Sequence, residues 1–202
     1  NETMLETIKC IRQAAERLEY YTNSVQDIQT LEEINLKYEK VNLLNLDHEI
    51  KSVLEIVSKE YNKKIKVISY LSDISIKISR IAVFRILENI ISNACRYCNN
   101  LITVDLLLSG EYFTIVVIDD GNGFSSQDLE RALKPFYKDK KYNNHFGLGL
   151  TICKILSEKH NGSIVLSNNP AGGAKVIVKP TDYAADQIAF NAFSIGGQFN
   201  AL

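Results

Sequence analysis

Three short runs between Asp119 and Leu150, DDGNGF (119–124), KPFYK (134–138) and HFGLGL (145–150), decide how the rest of the chain is read. An apolar strand, FTIVVI (Phe113–Ile118), runs into the carboxylate pair Asp119-Asp120 and then into Gly121 and Gly123. At the other end, Gly147 and Gly149 open an apolar helix, GLGLTICKILSEKH. The roughly twenty residues between the glycine pairs are polar, lysine-bearing and weakly periodic, and a loop that long inside a compact domain is usually a lid or a binding loop. Two glycine turns flanking a basic segment read as a nucleotide pocket with a cover.

Working outward, the segment before this stretch alternates helices and strands. An amphipathic helix is expected over about Asp47–Tyr61, with Ile50, Val53, Leu54 and Val57 buried, after a short connector Val41–Leu46. Lys64–Tyr70 and Ile74–Ser79 alternate polar and apolar residues and read as half-buried strands. Arg80 to about Asn99 follows as a helix whose apolar steps are Ile81, Phe84, Leu87, Ile91 and Ala94. Strands Leu101–Leu108 and Tyr112–Ile118 turn at Ser109-Gly110. After the lid, the helix from Gly147 to about His160 is stopped by Asn161-Gly162, and Ser163–Ser167 with Ala174–Lys179 form a hairpin around NNPAGG. This mixed order predicts an α+β two-layer sandwich, with helices on one face of a mixed sheet.

Residues 1 to about 40 contain no Gly or Pro, and Met4, Ile8, Ile11, Ala15, Leu18, Thr22 and Val25 recur in steps of four and three. That is the seam of a coiled coil or helical bundle, and a single helix cannot bury such a stripe on itself. Residues 1–42 are therefore read as a bundle helix, 43–180 as the globular domain, and 181–202 as a tail of undecided role with few charges and several Phe, Ala and Gly.

The composition is that of a soluble globular protein: of 202 residues, 46% are hydrophobic and 23% charged. The net charge of −1 provides no basic field for nucleic acid. No apolar run approaches the roughly twenty residues needed to span a bilayer, and no signal peptide is visible. Cys95 and Cys98 form a C-x-x-C within a helix, without a second pair or a nearby histidine, and read as small apolar residues in a reducing compartment.

The chemistry-bearing residues fall in four groups. Asn89 and Asn93, four apart, share a helix face, and Arg96 adds a fixed positive charge beside Tyr97. Asp119, at a strand end, either accepts a hydrogen bond from an exocyclic amine such as that of adenine or serves as a turn aspartate capping Gly121. Gly121 and Gly123 let the backbone turn and approach a flat base. Gly147 and Gly149 bring backbone N–H groups to a helix amino terminus, where anions are favoured. No G-x-x-x-x-G-K-[ST] occurs, so a P-loop is excluded.

Taken together, N-x-x-x-N-A-x-R-Y (89–97), D-x-G-x-G (119–123), P-F-Y-K (135–138) and G-L-G-L (147–150) resemble the catalytic domain of sensor histidine kinases, within the ATPase superfamily that includes gyrase, the heat-shock chaperone and the mismatch-repair ATPases. The resemblance covers roughly residues 43–180. It implies ATP and Mg²⁺ as cofactors. Asn93 would hold Mg²⁺ and, with Arg96, serve the phosphates, while Asn89 supports them and Tyr97 lies against adenine. Asp119 would read the adenine amine in a pocket shaped by Gly121 and Gly123. Phe136 and Tyr137 would anchor the lid, Lys138 would reach phosphate, and Gly147, Leu148, Gly149 and Leu150 would close over the triphosphate. The gyrase-like ATPases carry a water-activating glutamate at the position of Asn89. An amide cannot act as that base, which favours phosphoryl transfer to a protein group. The family's extra glycine two residues before Gly147 is replaced here by His145, followed by Phe146.

The same resemblance implies a phosphoacceptor histidine on a dimeric four-helix bundle, a response regulator as partner, and a cytoplasmic domain of a membrane-anchored protein. HEIKS (48–52) imitates the acceptor motif, but Val53 replaces the family's following proline. The family also places its acceptor much further ahead of the asparagine motif than the 45 positions between His48 and Asn93. The first 42 residues then fit the second bundle helix, with the acceptor upstream. A serine-directed kinase of the superfamily and a degenerate binding module are the alternatives.

Overall fold

The computed structural model describes residues 36–109, 112–137 and 147–180 and, near the amino terminus, 4–12, 14, 15, 18 and 22. The amino-terminal residues described are helical, and Met4, Leu5, Ile8, Ile11 and Leu18 present their side chains to solvent. Lys138, His145, Phe146 and the 181–202 tail lie outside the described residues.

The globular part begins with β1 (Glu39–Asn42) and α1 (Leu43–Tyr61), where a connector is expected from sequence. Two local features account for the difference. The Asn42 side chain accepts the Asn45 N–H at 3.1 Å, a helix cap that starts α1 early. Val41, Leu43 and Leu46 are all buried, so VNLLNL is core sequence rather than linker. The buried face of α1 accordingly runs through Leu43, Leu46, Ile50 and Leu54, and Val53, expected inside, is 43% exposed. Asn62 ends the helix in the left-handed region at φ 50°.

The next strands, β2 (Lys64–Ser69) and β3 (Ser75–Ile78), do not pair with each other. β3 runs antiparallel to β1 in a two-stranded ribbon, while β2 lies parallel to β4 (Leu101–Ser109). The crossover between β2 and β4 is made by β3 and α2 (Arg80–Tyr97), as a parallel pair requires. β5 (Tyr112–Asp119), α3 (Ser126–Arg131), α4 (Gly149–Lys159), β6 (Ser163–Asn168) and β7 (Ala174–Lys179) complete the unit. The mixed sheet has the order β2-β4-β5-β7-β6, with every contact except β2–β4 antiparallel.

The core is the interface between one sheet face and the helices. Ile102, Val104 and Leu106 of β4, Phe113, Ile115 and Val117 of β5, and Val176 and Val178 of β7 point at it. They meet Ile50 and Leu54 of α1, Val83, Ile86, Leu87, Ile90 and Ile91 of α2, and Cys153 and Leu156 of α4. The expected buried stripe on α2 holds at Leu87, Ile91 and Ala94 but not at its start: Ile81 is 70% exposed, and Ala82, Val83 and Ile86 are buried instead. Phe84 sits at the rim beneath the Arg80 guanidinium, which also pairs with Glu49. Cys95, Cys98 and Cys153 are free and buried, and burial pushes the Cys95 thiol up to about 11. Among the described residues, no helix is long and apolar enough to cross a membrane.

α4 is held at its far end by a buried histidine. Asn161 takes the left-handed turn at φ 49°, and the Gly162 N–H closes back on the Ser157 carbonyl at 2.8 Å. Between them and the helix, His160 is fully buried; its Nε2 accepts the Ser79 N–H at 3.3 Å, so Nδ1 carries the proton and donates to the Leu156 carbonyl at 2.8 Å. Its ring meets Tyr38 edge-on, with centroids 5.1 Å apart, and Tyr38 Oη donates to the Lys159 carbonyl. One imidazole thus ties the start of α2, the end of α4 and the chain entering β1.

Burial lowers the pKa of His160 below its ordinary 6.5, against a weaker opposite pull from the Leu156 carbonyl. The folded state then refuses a proton that the unfolded chain accepts. The contribution of His160 is complete above pH 6.5 and is lost as pH falls from there towards the depressed folded value, by about 1.4 kcal/mol per pH unit within that window. Urea midpoints measured from about pH 7.5 down to pH 5 should fall more steeply for wild type than for His160→Gln. Equal slopes would contradict the assignment.

Candidate nucleotide-binding site

The four groups of candidate residues converge where β5 ends, α2 ends and α4 begins. Asp119 closes β5 and is 8% exposed. Its Oδ1 accepts two backbone N–H groups, from Gly121 at 2.8 Å and from Ala174 at 3.2 Å. Burial raises the pKa of this carboxyl, and the two N–H groups oppose that rise. The turn reading of Asp119 is thus seen directly: Oδ1 shapes the turn, and Oδ2 has no protein donor among the described residues. Asp120 points the other way. Its carboxylate accepts the Asn99 and Asn100 N–H groups at 2.8 and 3.0 Å, joining the turn after α2 to the same loop. Burial pushes its pKa up, and the N–H groups of Asn100, Leu101 and Asn99 together outweigh it and hold the carboxyl below the usual range.

The glycines are spacing devices. A Cβ on Gly121 would overlap the Tyr97 carbonyl, so this turn lies directly against the last residue of α2. Gly123 sits at φ 73°, and a Cβ there would come within 2.6 Å of Asn168 Oδ1. Gly173, in the β6–β7 turn, approaches the Asp119 carbonyl so closely that a side chain would collide with it.

On the other side, Asn89 and Asn93 face the first turn of α4. A Cβ on Gly149 would lie 3.0 Å from Asn89 Oδ1 and 3.5 Å from Asn93 Nδ2, so the missing side chain leaves a small polar notch between the helices. Both amides are half-buried rather than buried. Asn89 Nδ2 donates to the Arg85 carbonyl at 2.8 Å, and Asn93 Oδ1 accepts from Arg96 Nη1 at 3.1 Å. Leu148, buried at the cap position of α4, has no side-chain oxygen to offer, and no side-chain cap hydrogen bond is made. The first N–H groups of α4, beginning with Gly149 and Leu150, have no carbonyl of their own helix to meet. An uncapped helix amino terminus beside two amides and a guanidinium can hold an oxyanion chain.

Tyr137 and Gly147, the residues flanking 138–146, are brought together. Tyr137 Oη donates to Asp128 Oδ1 at 2.9 Å, and Asp128 also completes a capping box with Ser125 at the start of α3. Burial pushes the Asp128 carboxyl up, but the hydrogen bonds from Ser125 and Tyr137 prevail and hold it low. Gly147, at φ 68°, lies against the Tyr137 carbonyl with no room for a Cβ. Phe136 is in the left-handed region at φ 64° and is 40% exposed. Asp128, Asn168 and Ala174 carry parts of the site that sequence reading missed. S-S-Q-D (125–128) has the form of a capping box and could have pointed to the first of them.

A buried carboxylate on a glycine turn, next to a helix amino terminus without a side-chain cap on a sheet-and-helix sandwich, is the arrangement of a nucleotide-binding fold of the kinase and ATPase class. The chain belongs to the family of histidine kinase-, DNA gyrase B-, and HSP90-like ATPases, which residues 78–183 match. It is similar to the sensor histidine kinase SpaK of Bacillus subtilis, with 33% identity over 188 residues, covering 89% of this chain and 40% of that protein. It is also similar to the sensor histidine kinase CpxA of Escherichia coli K12, 34% identical over 46% of this chain and 21% of that protein, and to the nisin biosynthesis sensor protein NisK of Lactococcus lactis, 32% identical over 49% and 23%. The chain thus spans two fifths or less of the length of these relatives. The fold is that of the catalytic domain of histidine kinase ThkA, with a TM-score of 0.63 and 23% identity over 72% of this chain and 96% of that one. Full-length ShkA in complex with AMPPNP shares it too, at a TM-score of 0.68 and 19% identity over 89% and 39%.

Gly121 and Gly149 make a discriminating pair. A methyl group at Gly121 meets backbone that cannot yield, and Gly121→Ala should cost about 1–3 kcal/mol of stability. At Gly149 the neighbours are amide side chains and the residue is helical, so Gly149→Ala should be near neutral or slightly stabilising in thermal denaturation. Equal losses would contradict this reading of the loop.

Proposed function

We propose that this chain is the ATP-binding core of a sensor histidine kinase, which binds Mg-ATP and, in the full-length protein, passes the γ-phosphoryl group to a histidine and thence to an aspartate of a response regulator. The observation that carries the reading is the pairing of the buried Asp119 and its glycine turn with the uncapped start of α4 facing Asn89 and Asn93. The two halves suit the two ends of one molecule, a flat base with an exocyclic amine and a chain of phosphates.

Each residue has a distinct task. Asp119 Oδ2 accepts the adenine amine, while Oδ1 stays committed to Gly121 and Ala174. Gly121 and Gly123 let the base lie close to backbone, and Tyr97 borders it. Arg96 and the α4 N–H groups from Gly149 and Leu150 bind phosphate oxygens, with Asn89 supporting them. Asn93 Oδ1, a neutral oxygen now accepting from Arg96, is a hard donor suited to Mg²⁺. No cluster of three His, Cys, Asp or Glu side chains forms a metal site among the described residues, so phosphate oxygens and water would supply most of the remaining ligands. Bound Mg-ATP supplies the phosphoryl group and the charge that spreads over it during transfer. The protein contributes position and charge stabilisation, since neither Asn89 nor Asn93 can act as a general base. Tyr137, Phe136 and Lys138 serve the lid, and Leu148 seats its rear hinge.

In the full-length protein, the residues before about 36 form the second helix of a dimeric bundle, the catalytic domain runs from β1 to residue 180, and 181–202 are a tail; the boundary at 42 read from sequence moves back because Glu39–Asn42 pair with β3. His48 lies exposed on α1, on the catalytic domain's own surface, and the acceptor histidine belongs to the bundle. The whole protein is membrane-anchored, with this domain in the cytoplasm.

Calorimetry with Mg-ATP should give saturable binding at one site. Asp119→Ala should weaken ATP and ADP alike, by about tenfold or more for a lost hydrogen bond to a charged group. Asn93→Ala should mainly remove the Mg²⁺ dependence. Folded wild-type protein that binds no ATP would sink the proposal.

A further inference from the structure

The turn that carries Asp119 is gripped at both ends by one cross-strand pair from the β6–β7 hairpin. Asn168, the last residue of β6, stands opposite Ala174, the first of β7. The Ala174 N–H donates to Asp119 Oδ1 at 3.2 Å, at the start of the turn. At its end, Asn168 Oδ1 accepts the Phe124 N–H at 2.7 Å, and Asn168 Nδ2 donates to the Phe124 carbonyl at 2.9 Å. This two-bond ring copies the pairing of a strand residue, so β6 continues through a side chain onto the loop. Gly123 keeps the clamp possible, because a Cβ there would press on Asn168 Oδ1 at 2.6 Å. Both amide atoms are needed: an acceptor alone leaves the Phe124 carbonyl unpaired, and a donor alone leaves its N–H unpaired.

We infer that Asn168 is a positioning residue for base selection: its amide clamp on Phe124 fixes the 119–124 turn, and with it the carboxylate that distinguishes adenine from guanine. The inference rests on the nucleotide reading of the site and deepens it. Adenine offers an exocyclic amine donor where guanine offers a carbonyl acceptor, so selection requires a carboxylate oxygen held in one place. The clamp's two hydrogen bonds run between Asn168 and Phe124 and involve no residue of α4. Loss of Asn168 should therefore relax the choice of base while leaving phosphate binding as it was. Asn168 is exposed, and its substitution removes no core packing.

The test uses the full chain and compares wild type, Asn168→Asp, Asn168→Ala and, as a neighbour control, Asn169→Ala. Asn168→Asp keeps the shape and the acceptor but turns a second carboxylate oxygen onto the Phe124 carbonyl. Calorimetric Kd values are measured for Mg-ATP, Mg-GTP, adenosine and tripolyphosphate, with thermal unfolding as a check of folding. Expected for both Asn168 variants is a loss of about tenfold for ATP and adenosine, little change for tripolyphosphate, and hence a fall in the ATP/GTP preference. Asn169→Ala should retain the wild-type preference. Folded Asn168 variants with an unchanged ATP/GTP ratio, or with equal losses for ATP and tripolyphosphate, overturn this inference alone. Wild type that binds no ATP overturns it together with the function on which it rests. Should an Asn168 variant fail to fold, Gly123→Ala displaces the same clamp, and an unchanged ratio there overturns the inference as well.

Discussion

The shared acceptor at Asp119 Oδ1 is the interaction on which the rest of the site depends. A carboxylate at the end of a central strand is costly to bury unless donors meet it. Here the donors are main-chain N–H groups from the following turn and from the neighbouring strand β7. They are placed by covalent geometry and sheet register, not by side-chain rotamers, so the carboxylate inherits the rigidity of the sheet. Under the proposed function, the other oxygen meets its ligand without first having to be ordered, which is the sense in which the site is preorganised.

The same economy extends to the helices. α2 and α4 pack side by side over the sheet, and the missing Cβ of Gly149 leaves the notch where Asn89 and Asn93 face the start of α4. His160 bonds the opposite ends of these two helices through the Ser79 N–H and the Leu156 carbonyl. The helix pair is thus held by a neutral, fully buried imidazole at one end and left polar and open at the other. Stability and binding are separated along one pair of rods.

Much of this was legible in the sequence because it depends on local rules. Glycine at turns, amides four apart on a helix and a carboxylate after an apolar run each carry a physical meaning that needs no tertiary context. What escaped was non-local. The early start of α1 depended on Asn42 acting as a cap and on β1 finding β3, some thirty residues away. The start of the α2 stripe at Ala82 and Val83 rather than Ile81 depends on how the helix lies on the sheet, which a step count along one apolar-rich helix does not give. Asn168 read as turn chemistry, because an asparagine before Asn-Pro gives no hint that its amide is committed to Phe124, forty-four residues earlier.

The contact between Tyr137 and Gly147 has a consequence for how such a domain can change over time. With the two hinges touching, the nine residues from 138 to 146 start and finish at nearly the same point. The closure cost of a flexible loop between fixed ends grows only with the logarithm of its length, about 0.6 kcal/mol per doubling. Insertions or deletions between these two anchors therefore need not displace Asp119 or the start of α4. Under the proposed function, a cover joined at these anchors can diversify in length and charge while the chemistry beneath it stays constant, and the constraint falls instead on the two residues at the joint.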